Sequence, residues 1–475
     1  MFKFDTKVQF LKYKVLKEVA VQKWNDTLAE NIIDIPKIIS PGNHSTMRCC
    51  VYKERAILHE RVKLAIGNKK DKIIQVLDIA CDECPVSGYE VTESCRGCLA
   101  HRCESVCKRG AITFDENHVA KIDKTKCVEC GLCAKVCPFS AIINRSRPCL
   151  KACKMKAISV GENKAAKIDY EKCVSCGACV YQCPFGAISD VSCVTTFIDM
   201  VKQSEKNSKY KMIAIIAPAI ASQFKYAKLG QVVTGLRELG FSNVYEVAHG
   251  ADIAAANEAL ELSKKGFLIS SCCPAFVKFV KREFPDLEKH ISHNMSPMAI
   301  TGKLMKEHFK DCKVVFVGPC IGKKEEKKNP QINEYVDIVM TFEELQALFD
   351  SKNIDITTLA ETEINDASSF GRKFAKTGGL TESIKQALIE KNIDFDFKPI
   401  VCNGLEECRK ALIKAKNKVS DFNFVEGMAC INGCVGGSGC INHDVRNITE
   451  VIKYADQSKY KNIEESLNDF KLEEK

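Results

Sequence analysis

FLISSCCPAFVKFVKREF, residues Phe267–Phe284, holds a strand, a cysteine loop and a helix in one run. FLISSCC reads as a buried strand running into a loop, and AFVKFVKREF repeats apolar residues at helical spacing. The same reading recurs on either side. KMIAIIAPAI (Lys211–Ile220) and CKVVFVGPC (Cys312–Cys320) are apolar strands that end in loops. GQVVTGLRELG (Gly230–Gly240), DIAAANEALELSKK (Asp252–Lys265) and TFEELQALFDSK (Thr341–Lys352) carry helical periodicity. Strands alternating with helices predict an α/β domain from about Lys211, in which ligands gather in loops at the strand ends.

Three such loops carry cysteines: SSCCPAF (Ser270–Phe276), GPCIGKKEE (Gly318–Glu326) and EGMACINGCVGGSG (Glu426–Gly439). Cys430 and Cys434 are four apart, close enough to grip one cluster, and Gly436, Gly437 and Gly439 allow close backbone approach to a bulky inorganic ligand. With Cys273 and Cys320 they supply the four thiolates of one cubane. Cys272 is then one thiol too many, either a neighbour or a proton donor. Lys323 offers a compact ammonium to an anionic metal ligand. Glu258 and Glu261 share a helix face with Lys265, an arrangement that on its own reads as a solvated surface.

Upstream lies a denser cysteine field. Cys127, Cys130, Cys133 and Cys137 precede Pro138, and Cys173, Cys176, Cys179 and Cys183 precede Pro184, which is the spacing of cubane-binding ferredoxins. In two-cluster ferredoxins the fourth cysteine ligates the other cluster, so each repeat needs a partner. Cys95, Cys98, Cys103 and Cys107 end in CKRGAI, and Cys149 and Cys153 end in CKMKAI, matching CPFSAI and CPFGAI. The connecting stretches AITFDENHVAKIDKTKC and AISVGENKAAKIDYEKC mark an internal duplication. Pairing the repeats predicts two α+β ferredoxin-like modules, 95–142 and 149–190. Cys95, Cys98, Cys103 and Cys137 form one quartet, and Cys107, Cys127, Cys130 and Cys133 the next. Cys153, Cys173, Cys176 and Cys179 form a third. Cys149 and Cys183 lack two partners, which Cys81 and Cys84 can supply. The strong repeats alone give two accessory clusters; the full partition of sixteen cysteines gives four. Zinc is the rival for Cys81, Cys84, Cys95 and Cys98. Cys49, Cys50, Cys193, Cys312, Cys402, Cys408 and Cys440 lack ligand spacing and are expected to be small buried hydrophobes.

The chain has 475 residues and 28 cysteines, and 45% of its residues are hydrophobic. It is long enough for two or three domains with a sizeable core, and has no need of the disulfides of small secreted proteins. The first twenty residues contain no signal-peptide apolar stretch, and runs such as Met212–Ile216 are too short to span a bilayer. These features predict a reduced cytoplasmic protein with no membrane partner. The formal charge of +9 is no nucleic-acid footprint. Each cubane with four thiolates adds about −2, which brings the loaded protein near neutral. A basic surface suits a small acidic electron carrier. The expected organisation is a helical extension at 1–76, the iron–sulfur region at 77–190, a catalytic domain at 210–440 and a charged helical tail at 441–475.

The three loops resemble the signature motifs of the iron-only (di-iron) hydrogenases, over roughly Ala217 to Ser438. The APA at Ala217–Ala219, the SP at Ser296–Pro297 and the TGG at Thr377–Gly379 fall in family order. The resemblance implies an H-cluster, a cubane bridged to a di-iron unit with CO, cyanide and azadithiolate ligands. Cys273, Cys320, Cys430 and Cys434 would ligate the cubane, and Cys434 would bridge to the di-iron unit. Lys323 would hydrogen-bond a cyanide. Ala217, Pro218, Ser296, Pro319 and Met428 would surround the cofactor. Cys272, Glu258, Ser292 and Glu261 would relay protons. Gly318, Phe276, Met298 and Lys265 stand where the family commonly has methionine, tryptophan, glutamine and arginine, features of a divergent clostridial-type (group B-like) branch. The implied activity is 2H⁺ + 2e⁻ ⇌ H₂, with electrons from a ferredoxin-like carrier and maturation proteins inserting the di-iron unit. Two other functions fit part of the pattern: an iron–sulfur assembly protein that keeps cubane ligands without hydrogen chemistry, and a hydrogen sensor. An assembly protein has no use for Cys272 or the glutamates, and no sensor-type extension follows the catalytic motifs.

Overall fold

A computed structural model describes residues 4–67, 72–85 and 87–470. Met212 to Ile216 are at most 1% exposed, so the strand Lys211–Ile216 is covered on both faces, as the core of a parallel sheet must be. It pairs in parallel with Asn243–Glu246 on one side and Cys312–Gly318 on the other, and Ile338–Thr341 completes this four-stranded sheet. A second parallel sheet holds Leu268–Ile269, Phe424–Met428 and Pro399–Asn403 in that order. The cysteine loops leave the C-terminal ends of strands from both sheets. Cys320 follows the strand Cys312–Gly318, Cys273 follows Leu268–Ile269, and Cys430 follows Phe424–Met428. Between the sheets runs the helix Val247–Lys265, with Ala248, Ala251, Ala255, Ala259 and Leu262 buried. Its small residues let the helix Pro297–His308 come so close that a Cβ on Gly250 would stand 2.6 Å from the Pro297 carbonyl oxygen.

In the iron–sulfur region the two modules are nested rather than consecutive. Gly88–Val91 pairs with Ile142–Arg145, so the first module occupies about 88–145. Ile74–Val76, which precedes it in sequence, pairs with Ile188–Asp190 at the end of the second module. The second module is therefore built from about 74–84 together with 148–190, and the first is inserted within it. This corrects the contiguous boundaries of 95–142 and 149–190, and it removes residues 74–76 from the N-terminal extension. Short strands pairing across more than a hundred residues leave no local mark in sequence.

The extension itself is helical, with Lys7–Trp24 and Val51–Ala65 as its main helices. Lys7–Trp24 packs against the helices Phe342–Ser351, Val51–Ala65 and Val194–Gln203, tying the three regions together. A buried ion cluster lies at that junction. Lys12 Nζ stands 2.6 Å from both Asp190 and Glu343, and Lys324 Nζ stands 2.8 Å from Asp190 and 2.9 Å from Glu344.

The last segment is no free charged tail. Its helices Asn447–Asp456 and Ile463–Asp469 bury Val451, Ala455 and Ile463 against the α/β domain. Arg372 grips Glu246 through Nε at 2.8 Å and Nη2 at 2.9 Å while donating Nη1 to the Tyr454 carbonyl at 3.1 Å. Ser466 Oγ donates to Asp252 at 2.7 Å. The apolar stripe that docks these helices is narrow and surrounded by charge, which hides it from a compositional reading. Cys312, Cys402, Cys408 and Cys440 are buried and Cys193 is half-buried, whereas Cys49 and Cys50 are exposed at the start of the helix Val51–Ala65.

Candidate metal and proton-transfer site

Cys273, Cys320, Cys430 and Cys434 converge where the two sheets meet. Each is near enough to the others to act on their charge, and burial with these neighbours pushes Cys320 up to about 11 and Cys434 up to about 12. Four half-buried thiols so close together cannot readily ionise at once unless a cationic core stands among them, which is the chemistry of a cubane's donor set. The glycines of the third loop make the convergence possible. Gly439 N donates to Pro319 O at 2.7 Å, and a Cβ on Gly437 would come within 2.6 Å of that same oxygen.

Beside the quartet opens a cavity lined by Ala217, Pro218, Cys272, Pro319, Lys323, Met428 and Cys434 among others. Apart from the thiols and Lys323 its walls are almost wholly apolar, and that is the setting for an uncharged or weakly polar metal-ligand shell. Lys323 is buried, pairs with Glu326 at 2.6 Å and donates to the Cys272 carbonyl at 3.2 Å. Burial works against its charge, but Glu326 outweighs burial and keeps it an ammonium. The residues present therefore fit a cubane carrying an anionic, apolar-shelled partner. Ser296 does not reach the cavity. Its hydroxyl accepts the Ala299 amide as the N-cap of the helix Pro297–His308, and Pro297 and Met298 form the wall instead.

From Cys272 a polar path leads outward along the helix Val247–Lys265. Glu258 is 1% exposed and close enough to Cys272 for each to feel the other's charge. Its Oε1 accepts from Ser271 Oγ at 3.2 Å, while its buried Oε2 makes no hydrogen bond. Burial raises Glu258 to about 7. Ser292 Oγ donates to Glu261 Oε2 at 2.8 Å and lies near both glutamates. Glu261 is opened to solvent beside Lys265, at 2.6 Å. Burial raises this second carboxyl, but the Lys265 ammonium, the Ser292 hydroxyl and the His293 amide together hold it below the usual range. Two carboxyls one helical turn apart thus have opposite shifts. Ser271, Asn294 and Glu326 belong to this site and escaped the sequence reading. Asn294 Nδ2 donates to both Glu261 and Ser292 at 3.0 Å. The spacing of Lys323 and Glu326 on one helix face was the available signal for Glu326.

The N-terminal thiols fall into the same geometry four more times. Cys95, Cys98, Cys103 and Cys137 line one cavity, and Cys107, Cys127, Cys130 and Cys133 line another. Cys153, Cys173, Cys176 and Cys179 are mutual neighbours, as are Cys81, Cys84, Cys149 and Cys183. Cys81 and Cys84 thus lie apart from Cys95 and Cys98, so these four do not form a zinc site. Among the described residues no group of three or more His, Cys, Asp or Glu is tight enough for a single metal ion. Cys176 is near enough to Cys273 and Cys430 to act on them, and Ser438 Oγ donates to the Cys176 carbonyl at 3.3 Å. The third quartet therefore abuts the quartet of Cys273, Cys320, Cys430 and Cys434.

Residues 210–438 match the family described as iron only hydrogenase large subunit, C-terminal domain. Residues 94–141 match a 4Fe-4S dicluster domain and residues 166–189 a 4Fe-4S binding domain. Over 335 residues the chain is 27% identical to iron hydrogenase 1 of Clostridium pasteurianum, covering 58% of each chain, so it spans little more than half of that protein's length. It is 28% identical over 383 residues to the periplasmic [Fe] hydrogenase large subunit of Nitratidesulfovibrio vulgaris, covering 68% of this chain and 87% of that one. It is also 34% identical over 91 residues to the cytosolic Fe-S cluster assembly factor NAR1 of Kluyveromyces lactis, 19% of each chain. Among the described residues no helix is long and apolar enough to cross a membrane.

Proposed function

Because this chain belongs to the iron-only hydrogenase family, with an H-cluster-type domain and 4Fe–4S modules, we propose that it interconverts protons and dihydrogen, 2H⁺ + 2e⁻ ⇌ H₂. The observation that carries this reading is the buried path from Cys272 through Glu258, Ser292 and Glu261 to Lys265. An assembly factor that only holds cubanes has no use for a buried carboxyl raised to about 7 between a thiol and a surface glutamate.

When bound, the H-cluster would supply the redox chemistry for interconverting protons and dihydrogen. The chain supplies the rest. Cys273, Cys320, Cys430 and Cys434 would hold the cubane, and Ala217, Pro218, Pro319 and Met428, which line the same cavity, would exclude water from it. Lys323, kept charged by Glu326, donates to an anionic ligand. The Cys272 thiol gives its proton into the cavity and regains one from Glu258. Glu258 can do so because its Oε2 is uncommitted while Ser271 steadies Oε1. Ser292 and Glu261 reload Glu258 from the surface. A group near pH 7 both takes and gives a proton at little cost.

The four N-terminal quartets would hold accessory 4Fe–4S clusters that supply an electron route, with Cys153, Cys173, Cys176 and Cys179 holding the one beside the Cys273 quartet. A small acidic ferredoxin-like carrier delivers them in the cytoplasm, and maturation proteins insert the di-iron unit. Infrared spectroscopy of the anaerobically matured protein, together with hydrogen evolution on a low-potential one-electron donor, tests the reading. CO and cyanide bands with turnover are expected. Their joint absence would make the protein an assembly factor, and bands without turnover on any such donor would make it a sensor.

A further inference from the structure

Three arginines surround the outermost quartet of the second module, Arg48 and Arg61 from the N-terminal extension and Arg147 from the start of the helix Pro148–Ala152. Arg61, from the helix Val51–Ala65, is 6% exposed and donates Nη2 to the carbonyls of Phe185 at 3.1 Å and Gly186 at 2.9 Å. Gly186 must be glycine here, since its φ is +55° and a Cβ would collide with the Arg61 guanidinium. Arg147 is 3% exposed and donates to Lys164 O at 2.7 Å and Pro85 O at 3.4 Å. Arg48 donates to the carbonyls of Ala80 and Phe185, both at 3.3 Å. Ala80, Pro85, Phe185 and Gly186 are the residues that flank Cys81, Cys84 and Cys183. The arginines thus grip the backbone that carries the thiols.

Their charges are not answered by carboxylates. Among the described residues neither Arg61 nor Arg147 has an ion-pair partner, and Arg48 has only Asp82 at 3.9 Å and Glu83 at 3.7 Å. Arg61 Nε and Arg48 Nη1 are buried with no hydrogen-bond partner at all. Arg48 also lies near enough to Arg61 to repel it. A buried guanidinium that faces another cation and, among the described residues, no carboxylate, as Arg61 does, is among the costliest arrangements a fold can hold. Only Cys183 acts in Arg61's favour, and Arg147 favours the thiolate of Cys84. The first module has no such feature. The turn equivalent to Phe185–Gly186 is Phe139–Ser140, which is exposed, and Arg96 and Arg102 near its quartet are exposed too.

We propose that Arg61 and Arg147 are the counter-charges of a 4Fe–4S cluster held by Cys81, Cys84, Cys149 and Cys183, and that they raise its reduction potential above that of the matching cluster in the first module. The proposal rests on the four-cluster reading above. With its thiolates the cluster carries about −2 and takes one electron from the low-potential carrier to reach about −3, with no bond or proton exchanged. Burial alone disfavours the extra negative charge. Two guanidinium groups in the same water-poor setting favour it, and the low dielectric that makes burial costly also strengthens them. The cluster becomes the place where an arriving electron rests before it moves inward, and the extension acquires the task of setting that level.

The test is an anaerobic potentiometric titration, followed by electron paramagnetic resonance, of the full chain with cubanes loaded and the di-iron unit not installed. Arg61→Gln and Arg147→Gln should each lower the midpoint of one cluster, reducing its occupancy ratio at fixed potential about tenfold, which is about 59 mV for a one-electron couple. Arg61→Lys should move it less. Cys84→Ser should remove the signal that moves. Unchanged midpoints in both glutamine variants at full iron content would overturn the proposal. Loss of about four irons in Arg61→Gln but not in Arg61→Lys would support it, because the charge would then be needed for binding. Loss in both would reduce Arg61 to packing and overturn it. A parent protein with about sixteen irons, unaltered by Cys84→Ser, would instead sink the four-cluster reading, which expects about twenty.

Discussion

Replacing Glu258 by glutamine should stabilise the protein and disable it at once. The carboxyl is raised by burial from 4.5 to about 7. Below about pH 4.5 it is protonated in both the folded and the unfolded chain and costs nothing. Between there and about pH 7 the unfolded chain gives up the proton while the folded one keeps it, so stability falls as the pH rises. Above pH 7 the buried charge costs the fold a constant amount of about 3 kcal/mol. Glutamine keeps the shape and removes the titration. The variant should therefore match the parent near pH 4.5, exceed it increasingly up to about pH 7 and keep that margin above it. Matched-rate thermal unfolding under anaerobic conditions reads this as a gap in midpoint that opens with pH. Turnover should fall by about two to four orders of magnitude, because an amide cannot pass the proton on. A midpoint gap that does not change with pH would refute the account of Glu258 as a raised, buried carboxyl. Turnover near that of the parent in fully metallated variant would refute its place in the path.

Cys272→Ala should leave the CO and cyanide bands in place while cutting hydrogen evolution by a comparable factor; near-normal turnover would remove the thiol from the path. Lys12→Met leaves Asp190 and Glu343 without one of their shared cations, and breaking a buried pair in this way costs about 3–5 kcal/mol. Hydrogen exchange should show faster opening of Lys7–Trp24, and unchanged protection would mean that the cluster of charges is not what holds the helix. Gly177 has a φ of +78°, and a Cβ there would stand 2.7 Å from that of Ser438. Gly177→Val should keep its iron but slow the passage of electrons from an external donor to the catalytic domain, as measured by stopped-flow bleaching; an unchanged rate would show that the contact is not the route.

Local spacing carried much of this molecule. Cys127–Pro138 and Cys173–Pro184 name their own chemistry, and the strands Lys211–Ile216 and Cys312–Gly318 are apolar enough to be recognised singly. What stayed hidden depends on distance along the chain. The nesting of the modules rests on three pairs between Ile74–Val76 and Ile188–Asp190. Ser296 reads as a cofactor neighbour until the helix that begins beside it claims its hydroxyl. The exposure of Cys49 and Cys50 follows from the helix turn they cap, not from their own chemistry. Arg61 and Arg147 look like ordinary surface charges in sequence, since nothing near them says that carbonyls beside distant cysteines will receive them.

The helix Lys7–Trp24 has a further consequence for how the protein is made. Gln9 donates to Glu343 at 3.2 Å and to the Cys440 carbonyl at 3.1 Å, and Asp5 accepts from the His443 amide at 2.9 Å. This helix thus waits for residues made more than 400 positions later before it can take its place. At about 5–20 residues per second that interval lasts from tens of seconds to more than a minute. Throughout it the second module lacks the element that closes over Asp190, and its cysteines stay open to whatever delivers iron and sulfide. Vectorial synthesis thus leaves a window for loading before closure.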